Sequence, residues 1–113
     1  MSEYIRRRAA DFRGNAKCVS CGVQKPWKEL QCGHYVSRSH LSLRWDLRNC
    51  WPQCPACNIF KNGNYPNFTK YLLDNYGEEW LKELIRQGQK IKKWTAQDLG
   101  NEIEFAQDLI SKL

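Results

Sequence analysis

Apolar residues along this chain follow two regimes. From Asn15 to Asn64 they keep no period: "CVSCGVQKPW", "SRSHLSLRWDLRNCWPQC" and "CPACNIFKNGN" read as turns and loops, with one candidate hairpin strand around "KELQCGHYV". Pro52 and Pro55 hold off any regular helix until about Ala56, so the segment "CPAC" sits at a turn entering a short helix that "NGN" then ends. After Pro66 the pattern becomes helical. Phe68, Tyr71 and Leu72 share one face, and Trp80, Leu81, Leu84 and Ile85 share another before Gly88 stops the run. Thr95 reads as an N-cap with Asp98 three positions on, after which Leu99, Ile103, Ala106, Ile110 and Leu113 line one stripe. A stripe on such a helix packs on its own core or also meets a second subunit. At the other end, "EYIRRRAADFRG" predicts a short basic helix closed by Gly14, with a loose arm as the alternative. No internal repeat or low-complexity segment is present.

A length of 113 residues suits one compact domain, or a small module with a helical appendix. The net charge of +6 changes the picture because it is segregated. Met1 to Asn64 carries eleven Lys/Arg against four Asp/Glu, a net of +7, whereas Tyr65 to Leu113 carries seven against eight, a net of −1. A basic half points to a polyanion, since neutralising phosphates releases their counterions. The bland alternative is charge for solubility alone. No apolar segment follows "RRR" to make a signal peptide, and no run is long enough to span a membrane, which sets the expectation of a cytoplasmic protein without a membrane partner. Six cysteines in such a chain read as thiols or metal ligands, with a disulfide framework as the rival reading.

"CVSC" contributes Cys18 and Cys21, and "CPAC" contributes Cys54 and Cys57. Each tight turn presents two thiolates to one side, and two such turns complete a tetrahedron suited to Zn²⁺. Four thiolates leave no position for water, so this zinc is expected to be structural. A pairing of Cys50 with Cys54 is a wider-spaced alternative for the second half of the site. Cys32 and Cys50 otherwise read as small buried thiols. The thirty-two residues between the two pairs contain both histidines of the chain. His34 is a candidate general base, because a neutral imidazole accepts a proton from water near neutral pH. Asn58, directly after the last zinc cysteine, can offer an amide oxygen to a hard cation such as Mg²⁺, and Asn49 can steady the imidazole or its loop by hydrogen bonding.

These elements together, "CVSCG", "CGHYVSR", "LRN" and "CPACNIFKNGN", resemble the HNH or ββα-metal nucleases, and the ending Cys-x-x-Cys-Asn is similar to that of phage endonuclease VII. The fuller order, "GHY" with "SR", "LRW", Asn49, "QCPACN", "GN", "YGEE" and "KWT", resembles the NinG/Rap recombination endonuclease family of lambdoid phages and runs through most of Cys18 to Leu113. The resemblance implies an α+β fold, a small zinc-stapled ββα-metal module followed by a helical C-terminal region. It divides the chain into a basic helix or arm (1–14), a nuclease core (15–64) and a helical region with a possible role in dimerisation (65–113). It also implies a metal-dependent endonuclease for Holliday junctions or D-loops in phage recombination, with His34 as general base, Asn49 supporting it, and Asn58 binding a catalytic Mg²⁺ or Mn²⁺. The chain departs from the pattern twice. Gly33 stands where many HNH sites have aspartate, leaving Gln31 or Asp46 as the second cation ligand, and Trp51 stands where histidine is expected.

Under that scheme Arg38 would hold the scissile phosphate, with Arg44 and Arg48 gripping its neighbours. His40 is at most a phosphate donor. Trp80 and Trp94 read as core, while Trp27, Trp45 and Trp51 either stack on exposed bases or fill the interior. A resolvase cuts two strands symmetrically, so the expected partners are branched DNA and a second copy of the chain. Two rival classes remain: a non-catalytic zinc module that binds nucleic acid, and a zinc module whose helices recruit a protein.

Overall fold

Two ladders, each too short to stand alone in water, organise the first half of the chain. The computed structural model describes all residues from Met1 to Leu113 and shows a small α+β architecture of two antiparallel two-stranded sheets and four α-helices. Strands β1 (Asn15–Lys17) and β2 (Gln24–Pro26) pair with Ala16 opposite Lys25. The turn joining them carries Cys18 and Cys21, and Gly22 with φ +79° lets the chain double back tightly enough for the Cys18 N–H to reach the Val23 carbonyl. Strands β3 (Gln31–His34) and β4 (Cys50–Gln53) pair with His34 opposite Cys50 and Gln31 opposite Gln53.

After β4 the chain makes a single π-helical turn, Ala56–Phe60, where the sequence suggests an ordinary short helix. Its exit bends through Asn62, Gly63 and Asn64, all at positive φ, a conformation that asparagine and glycine accept at low cost. Helix α2 (Tyr65–Tyr76) begins with Pro66 in its first turn, and Gly77 at φ +90° separates it from α3 (Glu78–Gly88).

The two halves of the chain share one core. Leu43 and Trp51 from the loop-rich half pack with Phe68, Leu72, Leu81 and Leu84 from α2 and α3. Burying each of these aliphatic or aromatic side chains stabilises the fold by roughly 1.5–3 kcal/mol, so the helices are a wall of the β3–β4 unit and not an appendix to it. Trp51 is thereby a core residue, 9% exposed, and is not available for stacking on bases. Helix α3 ends at Gly88 as expected, and the glycine also serves packing. A Cβ there would lie 3.0 Å from Val36 and 3.1 Å from Leu43, so glycine allows α3 to approach the 3-10 turn Leu41–Leu43.

The N-terminal helix α1 is shorter than expected, Ser2–Arg8, and it ends before Gly14. Its Ile5 is fully buried, and Arg8 donates to the Leu47 carbonyl at 3.2 Å, so the segment is docked. Helix α4 (Ala96–Ser111) has the capping box that "TAQD" announces, with Thr95 and Asp98 exchanging hydrogen bonds. Its stripe differs from the expectation of a core-facing helix: Ala106 is buried, whereas Leu99, Ile103 and Leu113 are exposed. No helix is long and apolar enough to cross a membrane.

Candidate active site

Cys18, Cys21, Cys54 and Cys57 converge, their sulfur atoms all within 4.8 Å of one another. Cys21 and Cys54 are 3.7 Å apart, close to the edge of a tetrahedron with zinc–sulfur bonds of about 2.3 Å. Burial, together with the neighbouring thiols of Cys54, Cys21 and Cys18, pushes the Cys57 thiol up to about 12, against a lowering contribution from the Asn64 amide. Four such groups do not ionise together without a cation to balance them, and the donor set fits zinc. The cluster can hold a zinc ion structurally, joining the β1–β2 turn to the residues after β4.

The loop between β3 and β4 is held by Asn49. This side chain is fully buried, accepts from the Val36 N–H at 2.7 Å, and donates to the carbonyls of Val36 and Leu43 at 2.9 and 3.2 Å. Asn49 therefore acts on backbone, not on the imidazole. By fixing this loop it also helps fix the Arg44 carbonyl, one residue beyond Leu43, to which the His34 Nε2 lies at 2.8 Å. A carbonyl only accepts, so Nε2 carries the proton and the lone pair of the neutral ring is on Nδ1. Burial holds the His34 pKa below 6.5; the Arg44 carbonyl works in the opposite direction, and the charges of Arg38 and Arg44 lower it further. The imidazole is neutral at pH 7 and oriented, as a base must be.

His34 opens onto a cavity of about 250 Å³ whose walls include Arg38, Arg44, Trp45, Cys32 and Cys50. Arg38 is exposed, and its carbonyl receives the Arg44 Nε at 2.9 Å, tying the two cationic residues into one rim. Two guanidinium groups beside a neutral histidine suit a phosphate diester. Arg48 and Asp46 lie outside this group. They bind each other through two side-chain hydrogen bonds of 3.0 and 2.8 Å. Burial raises the Asp46 carboxyl, but the bonds from Arg48 outweigh it and hold the group below its ordinary range. Each is thus occupied by the other. His40 is turned away, its Nδ1 on the Gly88 carbonyl at 3.0 Å.

Gln31 and Asn58 come together on the other side. The Asn58 Nδ2 donates to the Gln31 Oε1 at 2.7 Å, linking β3 to the π-helical turn. Strand alternation puts Gln31 and Gly33 on one face of β3 and Cys32 and His34 on the opposite face. Gly33 has its own reason to lack a side chain: a Cβ would run into the buried Gln53, whose Nε2 donates to Ser20 Oγ and to the Gly63 carbonyl, both at 2.7 Å.

Two features escaped the sequence. The Arg44 carbonyl leaves no trace in residue identity, because any residue supplies one. Cys32 and Cys50 join His34 in a second cluster whose ligand atoms lie within 4.8 Å of one another. The alternation of Cys32 with His34 is visible in "CGH", but only the β3–β4 register brings Cys50 opposite. The Cys50 thiol beside Cys32 holds Cys32 below its ordinary pKa despite burial, and Cys50 is pushed up correspondingly.

The family model described as bacteriophage lambda NinG protein matches residues 1–113. The proteins named protein ninG of Escherichia phage 933W and Salmonella phage P22 are each 30% identical to the chain over 99 residues, and that of Escherichia phage lambda is 29% identical. Each alignment covers 87% of this chain and 46% of the relative, so the chain spans about half the length of the curated relatives it matches. No solved structure matches it.

Proposed function

This chain belongs to the bacteriophage lambda NinG family, and from that premise we propose that it is a metal-dependent DNA endonuclease of the HNH, or ββα-metal, type, acting on branched DNA in recombination. The observation that carries this reading is the His34 ring, fixed by the Arg44 carbonyl so that the lone pair is on Nδ1, in the wall of a cavity that Arg38 and Arg44 also line. In this reading Arg38 and Arg44 hold the phosphate, and Nδ1 takes a proton from water as the water oxygen attacks phosphorus. The 3′ oxygen leaves on the opposite side as the phosphorus–oxygen bond breaks. Asn49 is a positioning residue that sets the loop.

Gln31 and Asn58 would hold the Mg²⁺ or Mn²⁺, exchanging their mutual hydrogen bond for two amide oxygens turned to the ion. When bound, such a cation supplies positive charge to phosphate oxygens; because Gln31 lies on the face of β3 opposite His34, action of both on one phosphate requires this end of the strand to rearrange when DNA binds. Two neutral oxygens fit a largely hydrated ion but hold it weakly, since hard cations prefer carboxylates. Gln31→Glu is therefore expected to lower the Mg²⁺ concentration for half-maximal cleavage about tenfold, read from a cation titration.

Junction selectivity and action as a homodimer belong to the same proposal. The exposed Leu99 and Ile103 on α4, with Leu113 just beyond its end, support pairing with a second copy. The deciding experiment is cleavage of a four-way junction and a matched linear duplex, with Mg²⁺ or Mn²⁺ against chelator, for wild type and His34→Ala. The expected result is symmetric nicking of the junction that falls by about 10²–10⁴ in His34→Ala with zinc content and fold retained. Binding without cutting would reduce the chain to a zinc-stapled nucleic-acid-binding module, the reading that the lack of a carboxylate beside Asn58 favours.

A further inference from the structure

We propose that Cys32, His34 and Cys50 form a second zinc site, distinct from the four-cysteine cluster and open to ligand at its fourth position. Three observations carry it. The two sulfur atoms and an imidazole nitrogen already lie within 4.8 Å of one another. Ligands around tetrahedral zinc are about 3.5–3.8 Å apart, given zinc–sulfur and zinc–nitrogen bonds of about 2.3 and 2.0 Å, so side-chain adjustments of about an ångström close the set.

The supporting contacts are those of a metal-binding histidine. A ligating imidazole normally gives its other N–H to a carbonyl or carboxylate, which fixes the tautomer and raises its basicity. Here the Arg44 carbonyl receives Nε2 at 2.8 Å; it also accepts from the Cys50 thiol at 3.6 Å, a contact that the metal would replace when that thiol ionises. Ligands come from both strands of a ladder, Cys32 and His34 on β3 and Cys50 directly opposite His34, so the backbone presents all three to one face.

The third observation is access. The cluster borders the cavity of about 250 Å³, so a zinc ion held there would keep room for water or an anion as fourth ligand. Three protein ligands plus an open position is the arrangement of exchangeable or catalytic zinc, in contrast to a closed four-thiolate site. Two thiolates and a neutral imidazole leave a divalent zinc with no net charge, which suits a pocket whose rim is already cationic.

One lone pair cannot both bind a metal and take a proton from water. Resting on the nuclease reading above, zinc in this site withholds His34 from its role as base, so zinc and catalysis exclude each other at the same nitrogen.

The test reads metal binding directly and does not depend on cleavage. The full chain, reduced and stripped of metal, is titrated with Zn²⁺ and Co²⁺, and bound metal is counted by elemental analysis. The expected result is two equivalents per chain, the second lost in the Cys32→Ser/Cys50→Ser double variant while the first remains. With Co²⁺, the second equivalent should add about half the thiolate-to-metal absorption of the first, as two sulfurs compare with four. His34→Ala should weaken the second equivalent at least about tenfold and leave the first. A single equivalent in the wild type, or a second that persists in the double variant, would overturn the site. So would an intact mass showing Cys32 and Cys50 joined as a disulfide in protein never exposed to oxidant.

Discussion

The two cysteine clusters of this chain use similar atoms for opposite ends. The Cys18, Cys21, Cys54 and Cys57 group draws on two turns far apart in sequence, and its sulfurs complete a tetrahedron among themselves. The Cys32, His34 and Cys50 group lies on the faces of one ladder and stops at three ligands beside a cavity. A complete set closes a loop and stabilises the fold. An incomplete one leaves a position for chemistry or exchange. Placement explains the difference: turns are free to aim both of their thiols inward, whereas a strand gives only every second residue to a given face.

The largest effect is expected from removing one ligand of the closed site. Cys57→Ser should abolish cooperative folding of the β1–β2 turn and the segment after β4, because structural zinc contributes about 10–16 kcal/mol of apparent binding free energy in small modules. Thermal melts with and without chelator would show it, and a variant that melts like wild type would deny the cluster its structural role. An intermediate effect is expected on the reverse face of the ladder. Gly33→Asp, which would install the carboxylate of the HNH pattern that the sequence resembles, should cost about 1–3 kcal/mol, since the new side chain displaces Gln53 from its bonds to Ser20 and Gly63. Urea midpoints measure this, and a stabilised or neutral variant would show that Gln53 yields easily. The smallest effect belongs to the open site. Cys32→Val, with only one equivalent of zinc present, should change stability by less than about 1 kcal/mol in the same urea titration, because the open site is then empty and no metal bond is lost.

The four-cysteine site was legible because two Cys-x-x-Cys turns form a local pattern with one common chemical use. His34 and Asn58 were legible as candidates, and the capping box before α4 was legible down to its two partners. Other assignments depended on neighbours distant in sequence. Trp51 offered a ring for stacking or for a core, and the arrival of Phe68 and Leu72 beside it makes it core. Arg48 and Asp46 each suggested a role of their own, and their mutual bonds occupy both. The α4 stripe had the period of a buried face, yet periodicity records only which residues share a side of a helix, not what lies against that side.

By itself the sequence determined the cysteine turns that can hold a metal, the segregation of positive charge into the first half, the helical second half and the histidine on which the proposed reaction depends. Each of these follows from residue identity at short range, where spacing fixes geometry. Only the tertiary structure decided which nitrogen of His34 is free, why residue 33 is glycine, and that Cys50 stands across the ladder from His34. Those outcomes rest on a backbone carbonyl, a buried amide and a strand register, and long-range packing sets all three.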